Sequence, residues 1–253
     1  MLNGVFPVFA KGRVLKKESI EYLRDFPYEL ASLAYEKYSD GVLSGFSASV
    51  KDGRLFVSKG AVKYKNNIIA VSENIIEIAE TDYERFLYIK LITGELRETP
   101  DYKICPVEIK TDASGGLLEN EIELGRFCLN PGAVLRCEYD SFSDLRTPEN
   151  TLDVTRVYYA GIGGPTLHPA ILKEYARAWA GFPAEPADLI FVMMCLNSDV
   201  IHRPSIEYYI SAKTGGGCKE YRLPELYLKL EELLPQSERK RSADKPRGRI
   251  IIE

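Results

Sequence analysis

The chain has 253 residues, of which 45% are hydrophobic and 28% are charged. This composition is typical of a globular protein and excludes bulk disorder, collagen and a membrane protein. The formal net charge of -4 provides no general attraction to a phosphate backbone, so we expect no nucleic-acid partner.

The amino-terminal region predicts helices. Apolar residues recur at three- and four-residue steps between residues 17 and 38, which describes one face of a helix. Pro27 lacks an amide donor and disfavours helix at the residue before it, so we expect two helical pieces, at 17–25 and 28–37. Asp40-Gly41 is a stop signal for the second piece.

From Val42 the hydrophobic period changes to two, which predicts β-strands. A hairpin is expected around the turn Lys51-Asp52-Gly53. Further strands are predicted at 61–64, 68–71, 75–78, 86–92, 104–109, 121–129 and 134–139. Strands at roughly ten-residue spacing favour a small antiparallel β-sandwich or barrel.

A polar stretch around 141–150, with Pro148, predicts a domain boundary. Beyond it, amphipathic patterns predict helices at 168–180 and 224–234. The apolar run 189–196 is expected to be buried, as a strand or a helix, and 205–210 is equally ambiguous.

The sequence therefore predicts an α+β fold in three parts. Residues 1–147 form a β-rich domain with an amino-terminal helical lead-in and an antiparallel β-sandwich or barrel. Residues 148–235 form a smaller α/β or mainly helical carboxy-terminal domain. Residues 236–253 form a flexible basic tail, with six basic and three acidic residues.

No membrane partner, transmembrane segment or signal peptide is expected. The longest uninterrupted apolar run is far short of the roughly 20 residues that cross a bilayer. Gly4 and Pro7 interrupt the first apolar run before it reaches the length of a signal peptide. Five scattered cysteines without a CxxC pair favour buried free thiols in a reducing compartment over a disulfide framework.

The sequence contains no motif for catalysis, a cofactor or a metal. His168 and His202 lack metal-ligand partners at suitable spacing. The glycine run 215–217 fails the spacing of a phosphate loop, and the glycines at 161–164 do not complete a dinucleotide-binding fingerprint. We therefore expect no catalytic residue, no cofactor and no metal site.

Two residue classes leave alternatives open. Glu119, Glu121 and Glu123 alternate along a predicted strand, as on the solvent face of a sheet, yet with Asp140 they also allow a glycan-hydrolysing site. The sixteen tyrosines suit core packing, a protein interface or, together with Trp179, a sugar-binding surface.

Several short segments carry a resemblance to proteins of known context. The segments 38–46, 58–64 and 68–69, with glycines at the turns, resemble a module of bacteriophage tail baseplates and fibre attachments. The segments 3–9, 24–27 and 208–210 resemble an uncharacterised protein family of clostridial prophage and tail-like particle gene clusters. Members sometimes carry a helicase label, but this sequence has no Walker A motif. The likeness covers most of residues 1–235.

This resemblance implies a structural component of a prophage tail, baseplate or phage-tail-like particle, acting in assembly or fibre attachment. It implies other tail or baseplate proteins as partners, a homo-oligomer, and a location in the cytoplasm during assembly and then in the particle. The alternative is a glycan-binding or glycan-hydrolysing protein of the same apparatus. By residue type and position, the candidate interface residues are Tyr38, Asp40, Phe46, Tyr158, Tyr159, Trp179, Tyr208 and Tyr209.

Overall fold

A computed structural model of the chain describes residues 6–65, 67–78, 85–147, 150–217 and 219–236. The helices are α1 (Lys17–Ala34), α2 (Pro169–Ala178), α3 (Pro186–Asn197), α4 (Arg203–Thr214) and α5 (Leu223–Leu233), with a 3-10 helix at Phe142–Arg146. The strands are β1 (Gly41–Gly45), β2 (Ala48–Lys51), β3 (Arg54–Val57), β4 (Gly60–Tyr64), β5 (Asn67–Val71), β6 (Asn74–Glu77), β7 (Leu87–Thr93), β8 (Arg97–Glu98), β9 (Lys103–Ile104), β10 (Val107–Asp112) and β11 (Glu121–Phe127). The predicted α+β class is confirmed. Residues 237–253, which make up nearly all of the predicted tail, lie outside the described residues.

The strands form several small antiparallel sheets. β4 pairs with β1 and β5, β3 pairs with β2 and β6, and β7 pairs with β10 and β11. The predicted hairpin is confirmed, since β2 and β3 are joined by Asp52 and Gly53, both at positive φ as a type I′ turn requires. The described strands form no closed barrel, so the barrel alternative of the prediction is wrong. Three of the sheets have three strands each, and β8 pairs only with β9.

One hydrophobic core runs through both halves of the chain. The same cluster of buried side chains contains Leu55 and Leu91 from the sheets and Leu172 and Tyr227 from the helices. The Tyr227 hydroxyl also donates to the carbonyl of Phe142 at 2.8 Å. This core crosses the predicted boundary after residue 147, and the division into two domains stays a prediction.

Residues 158–161 lie along the free edge of β1 and join the two halves through the backbone. The Val42 N–H donates to the Tyr158 carbonyl, and the Ala160 N–H donates to the Val42 carbonyl, both at 2.8 Å. Gly41 makes this approach possible. Its φ is +141°, and a Cβ atom there would lie 2.5 Å from the Tyr158 carbonyl oxygen.

Helix α1 is continuous through Pro27, which corrects the expectation of two helical pieces. Pro27 removes one amide donor and leaves the carbonyl of Leu23 without its intrahelical partner. No residue of α1 is buried, so solvent can replace the missing donor and the helix tolerates the proline.

The turn that follows α1 is held by a buried lysine of β4. The Lys63 ammonium donates to the carbonyls of Tyr35, Glu36 and Tyr38 at 2.8, 3.1 and 2.6 Å. These carbonyls lie just past Ala34, the last residue of α1, where the backbone no longer forms the regular hydrogen bonds of the helix and needs other donors. A cation with three donors therefore fixes the turn after α1 to the sheet.

The carboxy-terminal helices agree with the sequence patterns except in one region. Helices α2 and α5 confirm the predictions at 168–180 and 224–234, and 205–210 lies in α4. The run 189–196 is helical but mostly not buried, because only Asp188, Phe191 and Cys195 of α3 are buried, at spacings of three and four residues. The predicted strand at 134–139 is reduced to one bridge between Arg136 and Thr151.

Replacement of Gly41 by alanine should destabilise the protein by at least about 2 kcal/mol, because the new Cβ meets a backbone oxygen and the backbone is in a region that side chains disfavour. Urea unfolding followed by circular dichroism measures this. Gly217→Ala is the matched control, since a Cβ there has nothing within 4 Å. Equal stability of the two variants would contradict the role given to Gly41.

Replacement of Lys63 by methionine should cost about 2 kcal/mol, because it leaves three carbonyls without their charged donor. Hydrogen exchange should rise selectively in α1. Lys59→Met is the control, since Lys59 is an exposed lysine of the preceding turn. Unchanged exchange in α1 would show that the ammonium does not hold this helix.

Candidate functional site

The eight predicted interface residues divide by exposure. Phe46, Tyr159 and Tyr209 are buried, Tyr38 and Trp179 are half-buried, and Asp40, Tyr158 and Tyr208 are exposed. The three buried residues belong to the core, which is the alternative role that the sequence left open for aromatic residues. In this structure they present no surface to a protein partner. Contact between the other five and a partner stays a prediction.

Tyr209 belongs to a buried hydrogen-bond network that links α2, α3 and α4. Its hydroxyl donates to the Asp188 carboxylate at 2.7 Å and lies 2.8 Å from the Tyr175 hydroxyl. The Lys213 ammonium pairs with the same carboxylate at 2.9 Å, and the ring of Phe191 stacks on Tyr209 at 4.1 Å. Asp188 and Phe191 therefore anchor the inner side of α3.

The outer side of α3 is an exposed apolar surface, which we call the α3 face. It consists of Leu189, Ile190, Met193 and Leu196, whose exposed fractions are 53%, 62%, 67% and 68%. No charged residue occurs between 189 and 197. Contiguous exposed apolar surface of this kind marks sites of protein interaction.

A second exposed apolar strip, the α1 face, runs along the amino-terminal helix. It consists of Ile20, Leu23, Phe26, Leu30 and Leu33, which are 43% to 70% exposed. Their spacing of three and four residues places them on one side of the helix. The sequence predicted this stripe as one face of a helix, but only the structure shows that the described part of the chain leaves it exposed.

A cleft of about 330 Å³ lies between β1, the turn after it, and the start of α2. Phe46, Tyr159 and His168 line it, with the ion pair of Lys173 and Asp199 (2.7 Å). His168 Nδ1 accepts the Ala170 N–H at 3.0 Å and so caps α2. Burial, with a smaller contribution from Lys173, lowers the pKa of His168 to about 3, so its ring is neutral near pH 7.

The carboxylates considered for hydrolysis are engaged in ion pairs. Glu119 pairs with Lys65, Glu121 with Lys90, Glu123 with Arg126 and Asp140 with Arg136. Lys65 lowers the pKa of Glu119, whereas a general acid needs a raised one. None of the four carboxylates is among the residues that line the cleft, so the geometry gives no support to hydrolysis by these residues.

Lys90 is the most buried cation of this group. It is 1% exposed, and its ammonium donates to Asp112 at 2.9 Å, to Glu121 at 3.0 Å and to the Gly116 carbonyl at 2.7 Å. The backbone N–H of Leu118 and the Lys90 ammonium lower the pKa of Glu121 despite its burial. The network therefore ties the loop after β10 to the central strand β7.

Among the described residues no group of three or more His, Cys, Asp and Glu side chains could hold a metal ion. In the same part of the chain, no helix combines the length and the apolar character needed to cross a membrane. Of the described cysteines, Cys128 and Cys195 are buried, while Cys105 and Cys137 are half-buried; Cys218 lies outside the described residues.

Comparison with known proteins gives remote structural neighbours only. No family model matches the chain, and no curated protein matches it. A crystal structure of TssK aligns with a TM-score of 0.37 and 10% identity, over 90% of this chain and 69% of that one. A chain of the type VI secretion TssK-TssF-TssG baseplate subcomplex aligns with a TM-score of 0.40 and 9% identity, over 92% and 99%. At these scores neither alignment establishes a shared fold or function.

The Lys90 network should make stability fall in acid. Because the pKa of Glu121 is lowered in the folded protein, its ionised carboxylate contributes its full stabilisation at pH values above the unfolded pKa of about 4. That stabilisation is lost as the pH falls through the folded pKa. Glu121→Gln should lower the free energy of unfolding by about 2 kcal/mol at pH 7. Between pH 5 and 3 the variant should then lose less stability than the wild-type protein does. Urea unfolding at each pH measures both effects.

Glu119→Gln is the control for this experiment, because the Glu119 side chain is 81% exposed in its ion pair with Lys65, and solvent screens the attraction between exposed charges. A Glu121→Gln variant with the same pH profile as the wild-type protein would contradict the assignment of acid sensitivity to Lys90 and its partners.

Proposed function

We propose that this protein is a non-enzymatic structural component of a phage tail, baseplate or tail-like particle, and that it works by binding other proteins of the particle. The observation that carries the proposal is the α3 face: four large apolar side chains without a charge among them, on a helix whose other side is anchored. The resemblance of residues 38–46 and 58–64 to tail modules supplies the class of partner.

The α3 face is preorganised for binding. The contacts of Asp188 and Phe191 with α4 hold the helix in place, so a partner need not order it first. Covering the exposed parts of four such side chains contributes roughly 4–6 kcal/mol. Association costs about 4–15 kcal/mol in lost freedom, so the α3 face alone supports a weak contact.

A stable assembly therefore needs a second contact, which the α1 face supplies. Covering five more apolar side chains on a separate helix raises the total free energy gained from apolar burial above the lower end of the association cost. Tails are symmetric, so several copies with two surfaces each would form a closed ring or bridge neighbouring proteins. We propose a homo-oligomer that is located in the particle after assembly and carries a fibre or another baseplate protein.

The double variant Ile190→Glu/Met193→Glu should abolish self-association, since it places two charges in the centre of the α3 face. Size-exclusion chromatography with light scattering, across a tenfold concentration range, should show an oligomer for the wild-type chain and a monomer for the variant. Urea stability should change little, because both side chains point away from the core.

The matched control is Val134→Glu, an exposed apolar residue (70%) outside the two faces, which should keep the oligomer. A wild-type chain that stays monomeric throughout the range would refute self-assembly. An oligomer unaffected by the double variant would refute the role of the α3 face.

A further inference from the structure

The cleft beside β1 has no role in the assembly proposed above. It lies where the two halves of the chain meet, between residues 43–48 and the helix that begins after His168. Its volume of about 330 Å³ falls at the lower end of the range of roughly 300–1,000 Å³ for small-molecule sites. It is therefore large enough for a small ligand and too small for a folded partner.

His168 offers a hydrogen-bond donor in this cleft. Its Nδ1 accepts the Ala170 N–H, so the neutral ring carries its proton on Nε2. In the described part of the chain no acceptor is found for that proton. The Nε2–H is thus available to an acceptor on a ligand.

The remaining polar groups of the cleft give it both donors and acceptors without net charge. Lys173 and Asp199 neutralise each other at 2.7 Å, and both are more than half exposed, so they can turn toward a ligand. Burial raises the pKa of the Cys137 thiol to about 12, so the thiol stays neutral. Ser44 and Ser47 add hydroxyl groups.

The floor of the cleft is apolar and aromatic. Phe46 and Tyr159 are only 6% and 4% exposed, so their rings close the floor and offer almost no surface of their own, and the Tyr159 hydroxyl is already bonded to the Gly45 carbonyl at 3.2 Å. The Tyr139 hydroxyl is likewise bonded, to the Leu152 carbonyl at 2.7 Å. These residues close the floor of the cleft and leave the hydrogen bonding to His168 and the ion pair.

We propose that this cleft binds a neutral sugar of the size of one monosaccharide, with its hydroxyls on His168, Lys173 and Asp199. A ligand rich in hydroxyls matches paired donors and acceptors, whereas an anion or a cation would meet a site with no net charge. Asp199 is the one carboxylate of the described lining. Most glycosidases use two, so the site is one of binding.

The test is saturation-transfer NMR on the full chain with glucose, galactose, rhamnose and N-acetylglucosamine. At least one of these sugars should bind, with the same affinity at pH 6 and pH 8 because His168 does not titrate in that range. Glucuronic acid, which differs from glucose by a carboxylate, should bind no more tightly than glucose.

Two variants locate the site. Ser44→Trp fills the mouth of the cleft from an exposed position and should abolish the signal, while Ser49→Trp, exposed on β2 and outside the cleft lining, should keep it. Lys173→Ala should weaken binding about tenfold by removing one charged donor. Its exposed position leaves folding unaffected.

Each opposite result overturns the proposal. Absence of a signal for every sugar shows that the cleft is not a sugar site. Equal binding by Ser44→Trp and Ser49→Trp, or undiminished binding by Lys173→Ala, moves any sugar site elsewhere. Tighter binding of glucuronic acid than of glucose makes the ligand an anion. Since the α3 face is untouched in all three variants, the oligomeric state of each tests the assembly proposal separately.

Discussion

The close contact of residues 158–161 with β1 is the constraint on which the rest of the structure depends. It requires two backbones to lie at hydrogen-bonding distance, and Gly41 is the position that allows it, since a side chain there would meet the Tyr158 carbonyl. The contact brings the sheets against the carboxy-terminal helices, and the shared core then forms around Val42 and Tyr159. A fold with its halves apart would leave both apolar surfaces in water.

The same contact creates the cleft. Tyr159 reaches over to the Gly45 carbonyl, while His168 packs edge-on against the Tyr159 ring at 4.9 Å. The space between the end of β1 and the start of α2 is what these side chains leave unfilled. A ligand bound there would touch both halves, so its binding and the closeness of the halves stabilise each other.

The sequence predicted the elements well and their environments less well. Periodicity alone located the β2–β3 hairpin, α2 and α5, because local patterns set the type of an element. It failed for 189–196, where an apolar run without polar interruption indicated burial. The core needs only one side of that helix, and the buried residues on that side are Asp188, the polar residue of its first turn, Phe191 and Cys195. Which side of a helix meets the core is a property of the whole fold, so no local pattern contains it.

The sequence also did not reveal which residues contact each other across the fold, because the partners lie far apart along the chain. Lys63 bonds the turn after α1, 25 to 28 residues away in sequence, and Lys90 gathers carboxylates from two other strands. Both lysines lie in strands where alternation would place a polar residue in solvent. Each is buried because fixed carbonyls or carboxylates replace water around its ammonium, which offsets the cost of removing a charge from solvent. These buried lysines thus fix helix and sheet segments to one another, while the apolar residues of the α1 and α3 faces remain on the surface, where they suit assembly.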